Sequence, residues 1–554
     1  MNAVEGWLLD GEEFFAPAPF DLFDTLMSQY RATRARVEAM AEAVSRKECD
    51  GVLRYFIAGN CDEQKYTLPN TVGALFALEP AIAQLDADFW DRALKLTDVL
   101  DLMPQKRRQE WYEQIRCPMG RKGNQYRREA ELPRIPEFTE DNVRTTLESL
   151  IAMRGKFFAE RVDGIFQRLS REHVTNCPQG FGKRMILLRA INSYGHTDHD
   201  TSGYINDLRC VVAKFMGRDE PSYNATDTLI QACKHRAGKW VSIDGGALRM
   251  RVYAGVGTAH LEVHPDMAWR LNGVLASLYP QAIPAEFRER PKRAKKAKEV
   301  ALMNRPLPFK VLDLLARMKE GYERVDNPRW NESKLRRIPN TRQFDFGDKD
   351  PTAVAEAERV LTAIGGVYVK RGGGGHWAFD YEVGPVLSDI VCSGVVPDHR
   401  SHQFYPTPES VAKLAIDAAG IEAGHACLEP SAGIGGLADL MPKDRTTCVE
   451  ISPLHAKVLQ AKGHTVICGD FLNQPVQKFD RIVMNPPFDQ GRWQAHLQHA
   501  AAMVAPGGRL VAILPASARG KDLLPGFAVS WSDVIANEFA GTSVSVVIGA
   551  FERA

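Results

Sequence analysis

The feature that most constrains this chain is a regular alternation near its carboxy-terminal end. From Phe404 onward, strand-length apolar runs (ACLEP, TTCVEI, TVICGD, DRIVMN, RLVAILP, DVIANEFAG and VSVVIGAF) are separated by segments with helical spacing of apolar residues. Short apolar runs joined through helices are the pattern of parallel strands with crossover connections. Residues 401–554 are therefore expected to form an α/β domain with a doubly wound, Rossmann-like sheet. Ligands of such sheets bind outside the carboxyl ends of the strands, so the residues that follow each run are the informative ones.

The first strand end reads Glu429-Pro430-Ser431-Ala432-Gly433-Ile434-Gly435-Gly436. Its glycines let backbone approach a ligand closely and are expected to open the next helix. Gly433, Gly435 and Ala438 also fit a dinucleotide fingerprint, so this turn alone does not choose a cofactor. The second end carries Glu450, an acid able to accept both hydroxyls of a ribose, which a nicotinamide dinucleotide would use equally. The third carries Asp470 and Phe471, an acceptor for an exocyclic amine beside a ring that can lie on a purine.

The fourth end separates these readings. Asn485-Pro486-Pro487-Phe488 follows the run Asp480–Met484. An amino group conjugated to a ring is a poor nucleophile, because its lone pair is delocalised. Attack on a methyl sulfonium requires that nitrogen to become more sp³-like. The side-chain oxygen of Asn485 and the carbonyl of Pro486 are two acceptors that can draw the amine hydrogens out of plane and support the developing positive charge. Two successive prolines stiffen the corner, so the acceptors reorganise little during reaction. Phe488 offers a face on which a planar substrate stacks.

With these motifs in place, residues 404–554 resemble an S-adenosylmethionine-dependent class I methyltransferase of the amino-methylating, N-P-P-[YF] type. Gln403-Phe404-Tyr405-Pro406-Thr407-Pro408 is similar to the segment that lies against the methionine end of the cofactor in adenine DNA methyltransferases, and the motif order resembles their gamma arrangement. The resemblance implies S-adenosylmethionine as cofactor. Tyr405, Thr407 and Pro408 would lie near its methionine moiety, and Glu429, Ser431, Gly433 and Gly435 would line its binding loop. Glu450 would hold the ribose, and Asp470 with Phe471 the adenine. Asn485, Pro486, Pro487 and Phe488 would handle the target amine, with no metal. His496 is expected to pack or to support the substrate side. The expected activity is methylation of the exocyclic N6 of adenine in double-stranded DNA after base flipping.

Two alternatives stay open. One is an RNA guanine-N2 methyltransferase, a class that also uses N-P-P-F but continues with His where this chain has Asp489. The other is a DNA-binding regulator or defence inhibitor of a mobile element, whose fold only senses the cofactor. A protein-glutamine methyltransferase is further off, since that class favours Tyr at the last position of the tetrad. The target-recognition domain that usually follows the catalytic domain is not seen, because the last apolar run reaches Phe551. Sequence reading is thus expected of residues amino-terminal to the sheet.

The remaining chain divides, by pattern, into a mostly helical α+β domain at 1–285, a basic linker at 286–300 and a helical segment with a helix–hairpin module at 301–400. Ser28–Ala43, Phe157–Met185 and Arg251–Asn272 make residues of about 20–290 similar to a family catalogued as Domain of Unknown Function 4942. That resemblance implies a phage or mobile-element setting, in which restriction-modification is one role, and confers no chemistry. Short strands are expected over 239–263 with a helix at 265–279, and 308–345 reads as helical and then irregular. Several groups here are open to a functional or a plain structural reading. The stretch 106–128 carries Lys106, Arg107, Arg108, Arg116, Arg121, Lys122, Arg127 and Arg128 interleaved with Trp111, Tyr112 and Tyr126, a pattern that suits phosphates and bases or a solvated helix face. The hairpin after helix 352–364, with Lys370, Arg371, His376 and Trp377 around four glycines, is a DNA-touching wing or a small packed hairpin. His196, Asp198, His199 and Asp200 read as a polar loop in preference to a metal site. Arg168, Arg171, His173, Lys183 and Arg184 read as a phosphate seat or as surface charge. Trp240 and Trp269 are expected in the core.

Composition excludes some classes. In 554 residues, 70 Lys and Arg oppose 69 Asp and Glu, so no global basic coat exists, and 44% apolar with 25% charged residues is ordinary globular composition. No apolar run is long enough to span a membrane, and the beginning, MNAVEGWLLDGEEFF, lacks the layout of a signal peptide. The 10 cysteines are scattered without a C-x-x-C pair. Reduced thiols in the cytoplasm of a bacterial host are expected, with a dimer compatible with the pattern.

Overall fold

The structure is a computed structural model that describes residues 20–45, 75–121, 131–169, 176–177, 179–236, 238–290, 306–327, 332–345, 350–371, 374–396, 404–488, 491–539 and 544–553. The chain forms two compact units. One comprises residues 1–226 and 250–299, the other residues 227–249 and 300–554.

The second unit contains a seven-stranded sheet of β1 (Cys427–Pro430), β2 (Thr446–Glu450), β3 (Thr465–Cys468), β4 (Phe479–Met484), β5 (Val504–Pro515), β6 (Phe527–Trp531) and β7 (Val546–Arg553) in the order β3-β2-β1-β4-β5-β7-β6. Strands β1 to β5 pair in parallel, whereas β7 is antiparallel to both β5 and β6. The chain order reverses between β1 and β4, which makes the carboxyl ends of those two strands the natural ligand crevice. Helix α1 (Glu409–Ala419) follows Pro408, whose fixed φ suits a helix start, and ends at Gly420 with φ +55. Its Val411, Ala412, Ala415 and Ala419 share one face and are buried with Val511, Ile513 and Ile548 of the sheet. Ser452 caps α2 (Pro453–Ala461), and α3 (Arg492–Met503) buries Trp493, His496, Leu497 and Ala500.

The sheet departs from the sequence reading at three places. Asp533–Phe539 is not a strand. Its Ile535 makes only an isolated bridge to Val546, and β6 lies earlier in the chain. Apolar content alone does not single out β6 (FAVSW), an edge strand whose middle residues are exposed and which pairs with β7. The glycine turn after β1 leads into a short 3₁₀ turn, Ala438–Leu440, in place of an α-helix. Strand β5 begins at Val504, before the apolar run RLVAILP, and takes in Pro506-Gly507-Gly508 at an irregularity of its pairing with β4.

Preceding the sheet in the same unit are the helix Phe309–Ala316, the antiparallel pair Tyr322–Asn327 and Glu332–Arg337, the helix Pro351–Ala363, the hairpin Val367–Arg371 with Gly374–Ala378, and the helix Gly384–Ser393. The pair at 322–337 replaces the irregular stretch expected there, since alternating polar residues gave no apolar face to detect. His376 and Trp377 of the hairpin are buried. They pack inward, whereas Lys370 of the same hairpin is exposed. Asp389 forms ion pairs with both Arg236 and Lys457, which ties residues 227–249 into this unit.

The first unit is mainly helical. Phe20–Ser45, Leu78–Lys95, Gln105–Arg116, Glu140–Ala152 and Arg154–Arg168 are helices, and Arg184–Leu187 pairs antiparallel with Thr258–Val263. Tyr30, Phe89, Trp90 and Phe138 form an aromatic core with ring centroids 5.0–5.7 Å apart. Trp111, from the basic stretch, packs against Trp90 at 5.7 Å. Arg161 is fully buried and donates to Asp207 at 2.7 Å, with Glu220 at 3.3 Å and the carbonyl of Asp101 as further acceptors. A buried guanidinium is tolerated only with such paired acceptors. Trp240 and Trp269, expected in the core, are half-buried and lie under the guanidinium groups of Arg249 and Arg270 respectively.

Candidate active site

A cleft of about 1060 Å³ opens at the carboxyl ends of the parallel strands. Tyr405, Thr407, Glu429, Ser431, Gly433, Glu450, Asp470, Phe471, Asn485, Pro486, Pro487 and Phe488 all line it. They come from five places in the sequence and meet because β1, β2 and β4 are neighbours. Pro408 and Gly435 stand behind the lining. Pro408 starts α1, and Gly435, at φ +97, has Asp439 and Leu459 within 3.1 Å of where a Cβ would be.

The turn after β1 is wound tightly. Ser431 and Gly433 have φ of +65° and +56°, and a Cβ on Gly433 would lie 2.7 Å from the ring of Phe404. Glycine is therefore required there for both conformation and space. The turn is fastened by Glu450, whose Oε2 accepts the Gly433 N–H at 2.7 Å while Oε1 accepts the Ser452 N–H at 2.7 Å. Each carboxylate oxygen keeps a further lone-pair direction for a ligand hydroxyl. Burial pushes the Glu450 carboxyl above its ordinary range, and the two backbone donors partly offset this.

Glu429 is buried at the end of β1, and burial holds its carboxyl well above the usual range. Its Oε2 has no hydrogen-bond partner among the described residues. A buried acceptor without a donor is costly. Asp470 receives the Leu472 N–H at 3.0 Å and stands 3.9 Å from Arg492. Phe471 is almost wholly buried, with His499 at 4.9 Å and His496 at 5.5 Å between centroids.

At the reversal point, Asn485 donates from Nδ2 to Thr407 Oγ1 at 3.0 Å. Its amide nitrogen is thereby committed, and the opposite end of the amide is an acceptor. His496 lines the same cleft, with Nδ1 3.2 Å from Ser431 Oγ and Nε2 without a partner among the described residues. Burial, helped by the nearby Arg492 and His499 and opposed by Asp470, depresses its imidazole to about 4, so the ring is neutral at ordinary pH.

Sequence reasoning missed Phe404, His455, Arg492, Gly365 and Val367, which also line the cleft. Phe404 lay inside a recognised segment, but its role in filling the space over Gly433 is purely tertiary. Gly365 and Val367 arrive from the helix–hairpin module, for which no local pattern signals proximity.

The other candidate groups are drawn into structure. Asp198 caps the helix His199–Phe215 by accepting from Thr201 N, and no group of metal-binding side chains occurs among the described residues. Arg184 pairs with Glu262 at 2.6 Å, and Arg168 lies over Tyr204. Arg171, His173, Lys122, Tyr126, Arg127, Arg128, Gln403, Asp489 and most of the basic linker lie outside the described residues. Among the described residues, no helix is long and apolar enough to cross a membrane.

Comparison with known proteins finds one family model and a set of solved structures. Residues 82–281 match the model of a domain of unknown function, DUF4942. No curated protein matches the sequence. Among solved structures, the chain is similar to TrmN from Thermus thermophilus, with 23% identity, 26% of this chain and 49% of that one covered, and a TM-score of 0.23. It is also similar to the magnesium protoporphyrin IX methyltransferase of Synechocystis PCC 6803 with bound SAM, at 15% identity over 26% and 77% of the chains and a TM-score of 0.22. The N-methyltransferase NodS from Bradyrhizobium japonicum WM9, solved with S-adenosyl-L-homocysteine, is similar at 16% identity over 26% and 85%, with a TM-score of 0.22. The match to TrmN spans about half of that protein's length.

Proposed function

We propose that this cleft binds S-adenosylmethionine and methylates an exocyclic amine, the N6 of adenine in DNA. The observation that carries the reading is Asn485, held at the reversal point of the sheet by Thr407, in one cleft with Glu450 and Asp470.

The residues suit that cofactor. Glu450 has lone pairs left for ribose hydroxyls, Asp470 and Phe471 would flank the adenine, and Glu429 lines the cleft beside the glycine turn. When bound, S-adenosylmethionine supplies an electrophilic methyl group. The chain's own part is to prepare the nucleophile. Asn485 and the Pro486 carbonyl accept the two amine hydrogens, which draws the nitrogen lone pair out of conjugation and stabilises the positive charge that grows on it. Phe488 supports the face of the base. The neutral ring of His496 adds no competing positive charge beside that nitrogen.

For a base in duplex DNA, the target must leave the stack at a cost of roughly a few kcal/mol. Residues before the sheet then hold the duplex and supply whatever sequence preference exists. The match of residues 82–281 to DUF4942 supports a mobile-element setting.

The test is transfer of label from tritiated cofactor to phage or host DNA by the full chain. DNA should accept label, and Asn485→Ala should abolish transfer by at least 100-fold while cofactor binding persists. Label entering only RNA would replace the substrate class. Binding without transfer to any nucleic acid would make the protein a cofactor-responsive regulator.

A further inference from the structure

We propose that Thr407 is the positioning residue that holds the Asn485 amide in place for the substrate amine. The proposal rests on reading the cleft as an amino-methyltransferase site, and it gives Thr407 a role distinct from contact with the methionine moiety.

A side-chain amide is nearly symmetrical in shape but opposite in chemistry at its two ends. Rotation by half a turn about its last torsion would present NH₂ in place of the carbonyl oxygen to the incoming amine. Two donors would then meet, and the pull on the amine hydrogens would vanish. The hydrogen bond from Asn485 Nδ2 to Thr407 Oγ1, 3.0 Å long, restrains that torsion with the nitrogen on the Thr407 side.

The local sequence makes this restraint stiff. Thr407 and Asn485 each precede a proline, Pro408 and Pro486, which bars both backbones from the helical region. Thr407 is β-branched, so its first side-chain torsion has few alternatives and the hydroxyl leaves the backbone in a set direction. Gly436 closes the other side, since a Cβ there would stand 3.4 Å from both the Cβ and the carbonyl oxygen of Thr407. Two rigid corners, 78 residues apart, are joined by one hydrogen bond. Nothing else among the bonds of the described residues holds the Asn485 amide.

Thr407→Val keeps the branched shape and removes the hydroxyl, while Thr407→Ser keeps the hydroxyl and loosens the torsion. In the full chain, Thr407→Val should lower kcat for methyl transfer at least tenfold, with the cofactor Kd from calorimetry changing less than twofold. Thr407→Ser should recover most of the loss. A readout independent of turnover is the side-chain NH₂ of Asn485 in selectively ¹⁵N-asparagine-labelled protein, assigned with Asn485→Asp. Its exchange with solvent should be slow in the wild type and in Thr407→Ser, and fast in Thr407→Val. An unchanged kcat and unchanged amide exchange in Thr407→Val would overturn the proposal. So would a tenfold weaker cofactor Kd with kcat intact, which would make Thr407 a cofactor ligand. If wild-type protein transfers no methyl group while its Asn485 amide is protected by Thr407, the methyltransferase reading fails and the positioning geometry stands.

Discussion

Replacing Glu450 by glutamine changes one atom pair and tests how the glycine turn is held. Both carboxylate oxygens accept backbone N–H groups at 2.7 Å, from Gly433 on one side and Ser452 on the other, and the side chain is buried. Glutamine has the same shape but only one acceptor, so its NH₂ must face one of these N–H groups. A hydrogen bond to a charged acceptor is worth about 1.5–3 kcal/mol, and the orphaned buried N–H costs about 1–3 kcal/mol more. Relief of the burial that pushes the Glu450 carboxyl upward works in the opposite direction. The balance is a loss of roughly 2–4 kcal/mol in the stability of the turn. Amides that exchange by local opening should then exchange at least 30-fold faster, since each 1.4 kcal/mol is about a factor of ten. Hydrogen-exchange mass spectrometry of the peptide Glu429–Gly436 reads this directly, and cofactor titration should show a Kd raised at least tenfold. Exchange within threefold of the wild type, together with an unchanged Kd, would refute the argument that Glu450 fastens the turn.

Two further expectations follow from the same cleft. Gly433→Ala places a side chain at φ +56 and a Cβ 2.7 Å from Phe404, so backbone strain of about 1–2 kcal/mol adds to displacement of the ring. Its melting temperature should fall further than that of Gly463→Ala, where φ is +90 but open space surrounds the Cβ. Equal shifts in differential scanning fluorimetry would show that the Phe404 contact is soft. The second concerns pH. In the unfolded chain His496 takes up a proton below its ordinary value of 6.5, whereas in the folded protein it does so only near 4. Between those values the unfolded state binds more protons, so this residue's contribution to stability is full above pH 6.5 and falls as pH drops toward 4. The total loss is about 3 kcal/mol. Urea denaturation of the wild type and His496→Gln over this window should show a steeper acid decline in the wild type, and parallel curves would contradict the buried neutral ring.

Much of the sheet was legible in the sequence because strand and crossover periodicities are local properties of a few residues each. The motif residues could be placed at strand ends for the same reason: Gly433, the Asn485-Pro486-Pro487 corner and the acids at 450 and 470 each punctuate the end of an apolar run. Local pattern failed where a neighbour decides the outcome. The edge strand Phe527–Trp531 exists because β7 offers it hydrogen bonds, although its central residues are exposed, and Asp533–Phe539 finds no such partner beyond one bridge. The hairpin residues His376 and Trp377 looked suited to DNA by type, yet the packing of their module turns them inward.

By itself, the sequence determined which segments become the parallel strands and which chemical groups stand at their ends. Only the tertiary structure decided that Phe404 would fill the space over Gly433, that Glu450 would fasten the glycine turn, and that Thr407 would hold one end of the Asn485 amide. The physical reason is range: torsional preference and periodic burial act between neighbours in the chain, whereas the direction of a hydrogen bond depends on which distant residue the folded sheet brings within 3.0 Å.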